Sequence, residues 1–336
     1  MDAFVYLPLL VPVLAAMAAR PLAARLEPRL ATWLLTATTV ALAAFSTAAL
    51  ALLAASALAR VPALAAVGEY SQPALRRGDP VPVLAGVAAA LLLTAVAVAV
   101  AVVIRARARG LAESYRRAAL MAPGQSVATG PGQAAEAVVV VPGRAIEAYA
   151  LPGSPGRIVV SGRLLDELDA PGQAALFAHE RAHLAGRHHL FTTVAHLAAA
   201  ANPLLLPVAR AVDYTVERWA DERAASVTGD RRLVAATIGR VALLAPARPR
   251  RMRAASLAIT GTRPRSGPRS GPGTRAVSLA WAGPVPRRVA ALLAPPPRRQ
   301  LTLLAVAALL VLIAGGSAAE AARDLHALVE FAQAAR

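Results

Sequence analysis

A 336-residue chain that is 57% hydrophobic, with a mean hydropathy of +0.52, does not have the composition of a water-soluble protein, and several of its apolar runs reach membrane-spanning length. It contains no cysteine, which excludes disulfides, thiolate metal ligands and cysteine nucleophiles together. The net charge of +17 is carried by arginine alone; the arginines cluster beside apolar runs without interleaved aromatics, so they report membrane orientation and anionic lipid rather than nucleic acid.

The first apolar run, 3–19, is just long enough to span a bilayer. Residues 16–18 (A-M-A) resemble a cleavage site, but only Asp2 precedes the run, and Arg20, Arg25 and Arg29 follow it. That is the reverse of a secretory signal, so an uncleaved span with an external N-terminus is expected. Runs at 31–58, 81–104 and 301–319 are read as the second, third and fourth spans. Arg105, Arg107, Arg109, Arg116 and Arg117 follow the third, while Arg287, Arg288, Arg298 and Arg299 precede the fourth and Glu320 and Asp324 follow it. These flanks predict a cytoplasmic location for segment 105–300 and an external one for both termini.

Segment 105–300 differs in character from the spans. Residues 107–121 read as a helix, and the apolar runs 136–141, 146–150 and 157–161, broken by Pro-Gly pairs, read as strands with tight turns. Asp169 followed by Pro171 signals the start of a helix carrying H-E-x-x-H, with His179, Glu180 and His183. Positions i and i+4 share a helix face, so the two imidazoles can grip one ion while Glu180 projects beside it. Zinc suits such ligands, and a catalytic zinc site leaves one position for water. His188 and His189 follow closely, either structural or interfacial, or assisting at an oxyanion.

The next apolar stretch, 190–208, is interrupted by His196, Asn202, Pro203 and Pro207. Were it a span, the acidic cluster after it would lie across the membrane from His183, so it is read as a buried or membrane-leaning helix pair. That cluster, D-Y-T-V-E-R-W-A-D-E-R-A-A at 213–225, spaces Glu217 and Asp221 i, i+4. Glu217 is the expected third ligand, with Asp221 orienting a histidine or bracing the helix; Asp221 and Glu222 are the alternative ligands. Glu180 is then the general base that takes a proton from water and passes it to the leaving amine. No nucleophilic side chain is called for: a G-x-S-x-G elbow is absent, and a chain without Lys cannot carry S-x-x-K. Residues 245–275, rich in Arg, Pro, Gly and Ser, read as a flexible linker.

The stretches A-Y-A-L-P-G-S-P-G-R-I-V-V-S (148–161), A-L-F-A-H-E-R-A-H-L-A-G-R-H-H (175–189) and V-E-R-W-A-D-E-R-A-A (216–225) resemble the BlaR/MecR-type integral-membrane zinc metallopeptidases and, more distantly, the HtpX and CAAX prenyl protease group. The resemblance implies zinc ligands at His179, His183 and Glu217, a catalytic base at Glu180, and an Asp221 that matches the aspartate of E-x-x-A-D. It also implies that an extended substrate lies along the strand near 145–150. Glu147 departs from the pattern, standing where related proteases often have Asn. No penicillin-binding domain follows the fourth span, so β-lactam sensing by an acylated serine is not expected.

The expected fold is mainly α, with four transmembrane helices and a cytoplasmic gluzincin-like α+β zinc protease domain inserted between the third and fourth. The expected regions are 1–104 (three spans), 105–244 (metallopeptidase), 245–300 (linker and short amphipathic helix), 301–319 (fourth span) and 320–336 (external tail). The expected activity is zinc-dependent endoproteolysis at the cytoplasmic face of the cell membrane. Its expected partners are the bilayer and a protein substrate such as a transcriptional repressor, without direct nucleic-acid contact. The competing readings are HtpX-like membrane-protein quality control and a non-catalytic signalling scaffold with structural zinc.

Overall fold

The computed structural model describes residues 6–59, 83–121, 126–127, 137–142, 146–153, 156–244, 257–258, 284–295 and 301–334. The charged segment between the second and third expected spans, Glu136, Arg298, Arg299 and all of linker 245–275 except 257–258 lie outside the described residues.

Helices α1 (Leu7–Arg25) and α2 (Pro28–Leu58) form an antiparallel pair. Glu27 makes the turn: its carboxylate accepts from the N–H groups of Arg29 (3.0 Å) and Leu30 (2.8 Å), and Pro28 opens α2. At the far end Ser46 Oγ donates to Pro8 O (2.8 Å). Helix α3 (Val83–Met121) runs for 39 residues, because the helix expected at 107–121 continues the third apolar run without a break. It lies against α2 through Gly86, where a Cβ would come within 2.3 Å of the Ala57 Cβ, so only glycine permits this approach. Among the described residues, α1, α2 and the Val83–Arg116 part of α3 are long and apolar enough to cross a membrane. Leu84, Leu91, Val98 and Val102 of α3 are exposed, a surface that suits lipid.

The sheet has the order β1 (Ser126–Val127), β2 (Ala137–Val141), β4 (Arg157–Ser161), β3 (Ala148–Leu151), β5 (Leu257–Ala258). The strands expected at 136–141, 146–150 and 157–161 form within two residues of those bounds, but β2 and β3 are not neighbours. β4 sits between them, parallel to β2 and antiparallel to β3. Its uninterrupted Ile158-Val159-Val160 explains the place, since only a central strand has both faces covered. Ile158 and Val160 face the helical core, while Val159 joins Val139 and Leu151 under Leu111 of α3.

After β4 come α4 (Gly162–Asp166), α5 (Ala170–Ala185), α6 (His188–Ala201), a 3-10 turn (Pro203–Leu205), α7 (Leu206–Thr228), α8 (Arg231–Leu244), α9 (Pro284–Leu293) and α10 (Leu301–Ala334). Two cores result. One joins α1 and α2 to α6 and the first half of α7, through Leu22, Leu35, Leu205, Val208 and Val212. The other joins the sheet to α5, α8, α9 and the second half of α7, through Ile158, Leu176, Ala224, Ile238 and Leu292. Helix α7 belongs to both, and Glu217 sits where they meet. Residues 320–334, expected as a separate tail, continue the helix begun at Leu301; ion pairs at i, i+3 and i, i+4 (Glu320–Arg323, His326–Glu330) suit that continuation.

Candidate metal centre

Helix α5 begins as its sequence requires: the Asp169 carboxylate accepts from Gly172 N–H (3.0 Å), with Pro171 in the first turn. Ten and fourteen residues beyond this cap, His179 and His183 point to one side and are each about 1% exposed. Their Nε2 atoms are 3.0 Å apart. From α7, Glu217 brings Oε2 to 3.7 Å from His179 Nε2 and Oε1 to 3.6 Å from His183 Nε2. One donor atom from each of the three residues falls within 4.8 Å of the others. The measured separations bracket the edge of about 3.3 Å expected for a tetrahedron with zinc–nitrogen and zinc–oxygen bonds near 2.0–2.1 Å. Two imidazoles and one carboxylate therefore fit a zinc ion, and of the acidic residues 213–225 it is Glu217 that joins the histidines. Glu222 is drawn away into an ion pair with Arg231.

The other ring nitrogen of each histidine is held from behind. Asp221 Oδ1 lies 3.0 Å from His179 Nδ1, and His188 Nδ1 lies 2.9 Å from His183 Nδ1. Both contacts leave Nε2 free to face the ion site, the arrangement that metal-binding imidazoles need. His188 is fully buried and lies 4.5 Å, centroid to centroid, from Trp219. A Cβ on Gly186 would come 2.3 Å from His188 Nε2, so the His188 ring can occupy this place only because α5 ends in glycine. His189 is partly buried outside this ring of contacts.

A residue not anticipated from the sequence completes the centre. Arg288, expected to be a basic flank of the fourth span, is instead about 2% exposed on α9. It donates through Nε to Asp221 Oδ2 (2.7 Å) and through Nη2 to Asp221 Oδ1 (2.6 Å), while its Nη1 lies 2.7 Å from Glu217 Oε2. Helix α9 is docked at two further points. The Arg287 guanidinium sits 4.3 Å from the Tyr214 ring centroid, and Arg231 Nε donates to Leu292 O (2.8 Å). No local pattern announces this, because α9 follows the linker and its arginines look like any membrane-flanking pair.

The electrostatics follow from burial and these partners. Burial alone would raise Asp221, but the Arg288 guanidinium beside it holds its pKa down to about 2. Burial pushes Glu217 above the usual carboxylate range, with Arg288 and His179 opposing. For His179 the effect of burial is outweighed by the bond to Asp221, and its pKa rises; His183, buried among His179 and His188, falls well below the ordinary value. A neutral His183 carries no proton to compete with a cation. Glu180 is fully buried, and neither of its oxygens has a well-formed hydrogen bond among the described residues. Burial lifts its pKa to about 8, offset in part by His179 and by the Ala150 N–H of β3. A proton-accepting carboxylate beside three metal-type ligands, with a titration range brought near neutrality, is suited to general-base work.

Neither the curated proteins nor the solved structures gave a match to the chain. The model of peptidase family M48 matches residues 114–295, from the last turns of α3 to just past α9. That stretch is more than half of the chain and contains the whole centre, Arg288 included. The chain belongs to peptidase family M48, which makes it a metallopeptidase, and its apolar N-terminal helices suggest one that is membrane-associated.

Proposed function

We propose that this chain is a membrane-embedded zinc endopeptidase whose site works at the cytoplasmic face. The observation that carries the reading is the convergence of His179, His183 and Glu217 with the fully buried Glu180 carboxylate beside them. His179, His183 and Glu217 would hold the ion, which when bound would supply Lewis acidity and lower the pKa of a water. Glu180 takes the proton of the attacking water and delivers it to the departing amine. Asp221 and His188 fix the two ligand rings, and Arg288 fixes Asp221 and Glu217. A scaffold with purely structural zinc would have no use for a desolvated carboxylate between the two histidines.

The purified protein is expected to hold about one zinc per molecule by elemental analysis, and His179→Ala or Glu217→Ala to lose most of it. Asp221→Ala should weaken zinc by about 10–100-fold yet still fill at excess metal, as befits a residue behind a ligand. Full zinc in Glu217→Ala with none in Asp221→Ala would reverse the assignment.

In the BlaR/MecR-type reading, α1–α3 precede the peptidase domain as spans, α10 follows it as the fourth, and the substrate is a regulatory protein such as a repressor. The HtpX-like alternative differs in substrate, namely damaged membrane proteins. Reporter fusions after Arg109 or within 255–275 are expected to read cytoplasmic and a fusion at Arg336 external. An external signal from the 255–275 fusion would rule out the orientation and repressor cleavage with it.

One observation supports self-processing. Strand β5, from the linker, pairs antiparallel with β3 (Tyr149 opposite Ala258, Ala150 opposite Leu257), on the strand whose Ala150 N–H approaches Glu180. This is the edge on which an extended substrate is expected. Wild-type protein should accumulate fragments cut within 245–275, and Glu180→Gln protein should not. Terminal mapping by mass spectrometry decides, and equal fragments in both would mean other proteases nick the linker.

A further inference from the structure

Helices α6 and α7 form a hairpin that runs beside α2. The Phe191 ring lies 4.8 Å from Trp33, and Asn202 Nδ2 donates to Ser46 Oγ (2.9 Å), so α6 runs in the direction of α2. Coming back, Thr32 Oγ1 donates to Thr215 Oγ1 (3.0 Å), and Arg29 lies 5.7 Å from the Trp219 ring centroid. Between the levels of Trp33 and Ser46 the hairpin therefore climbs about 20 Å along α2. Its tip reaches the depth of Ser46, well inside α2, and of Pro8 in the first turn of α1, two helices that are apolar enough to cross a membrane.

The tip has the chemistry of a lipid-facing surface. Pro203, Leu204, Leu206 and Pro207 are exposed, and so are Leu190 and Val194 on the flank of α6. Its polar groups turn inward or are satisfied locally: Asn202 is buried, its Oδ1 accepts from Leu204 N–H (3.1 Å), and its carbonyl accepts from Leu205 N–H (2.9 Å). Pro203 and Pro207 occupy first-turn positions, where they remove N–H groups that would otherwise lack partners. Such caps also start helices in water; here they leave the exposed tip apolar, with its polar groups already satisfied, as hydrocarbon requires.

Charge begins one turn below the tip. Arg210 is exposed, Asp213 meets His196 (2.9 Å), and Arg107 of α3 reaches Thr193 (3.4 Å). Arg107 belongs to the arginine run that ends the third apolar stretch, so these groups mark one polar level on three helices.

We infer that the α6–α7 hairpin is re-entrant: its tip, about 197–207, is immersed in the acyl chains of the bilayer without crossing it, and Arg107, His196, Arg210 and Asp213 lie at the headgroups. The occupant of the exposed apolar tip is then lipid, because the same face continues onto the apolar sides of α1–α3. The hairpin anchors α7, and so Glu217, about 10 Å below the Arg210 level. The inference rests on α1–α3 being membrane helices and not on the metal chemistry.

The absence of cysteine makes the test direct. Single variants Leu204→Cys and Leu206→Cys at the tip, Leu10→Cys on the exposed side of α1, and Val227→Cys at the exposed end of α7 are spin-labelled in the full chain and placed in phosphatidylcholine–phosphatidylglycerol vesicles. Collision with oxygen and with a water-soluble nickel chelate is then read by electron paramagnetic resonance. Labels at 204 and 206 are expected to behave as the one at 10, accessible to oxygen and shielded from nickel, with the label at 227 accessible to nickel. Nickel access at 204 and 206 equal to that at 227 overturns the inference, placing the tip in water. Shielding from both reagents overturns it too, since protein would cover the tip. Nickel access at position 10 overturns the membrane reading of α1 itself, an outcome separate from either.

Discussion

Glu180→Gln protein is expected to bind zinc at wild-type stoichiometry while losing peptide hydrolysis by about 10²–10⁴-fold or more. The metal should stay because Glu180 is not among the three converging ligands, and glutamine fills the same buried volume. Hydrolysis should go because an amide cannot accept the water's proton, and the neighbouring groups are otherwise engaged: the Nε2 atoms of His179 and His183 face the candidate ion site, and Asp221 is committed to Arg288. Zinc content and casein hydrolysis measured on one preparation decide this. Retained zinc with retained activity would remove Glu180 from the mechanism, and lost zinc would make it part of the ligand set.

The second large effect belongs to Arg288. Arg288→Ala removes one partner from a buried ion network and leaves Asp221 and Glu217 without their cation, a change that typically costs about 3–5 kcal/mol. Helix α9 should loosen with it, although the Arg287–Tyr214 contact, the Arg231 bonds to its last carbonyls and the burial of Leu292 would remain to hold it. Arg288→Lys keeps the charge but not the fork that reaches Asp221 through Nε and Nη2 together, so it should recover part of the stability and less of the zinc affinity. Melting in detergent and zinc competition with a chelator measure the two. Combining Arg288→Met with Asp221→Asn should cost less than the sum of the single changes, because the double variant leaves one buried carboxylate instead of two without the cation. An Arg288→Ala protein that melts with the wild type and holds zinc equally well would reduce the ion network to an ornament of the fold.

The sequence by itself determined whatever depends on neighbours within a few turns of chain. H-E-x-x-H presents two imidazoles on one face because i and i+4 coincide on any helix, and Asp169 with Pro171 starts that helix through its own side chain and ring. Glu217 and Asp221 share a face for the same reason, and the apolar run 31–58, like the run 81–104 from Val83 onward, is helical because no charge or proline breaks it there. Tertiary structure decided the rest. Asp221 and Arg288 are 67 residues apart with the linker between them, and no local period records that a basic residue of α9 will be buried against α7. The place of β4 between β2 and β3 depends on which strand can be covered on both faces, a property of the packed molecule. His188 becomes the support of His183 only because Gly186 and Trp219 leave a ring-sized gap at the end of α5, and the broken stretch 190–208 becomes a hairpin beside α2 only because Ser46 and Thr32 meet Asn202 and Thr215. The candidate ligand types were thus local chemistry, whereas the choice of Glu217 among the acidic residues and the contacts behind the histidines are long-range, which sequence spacing does not encode.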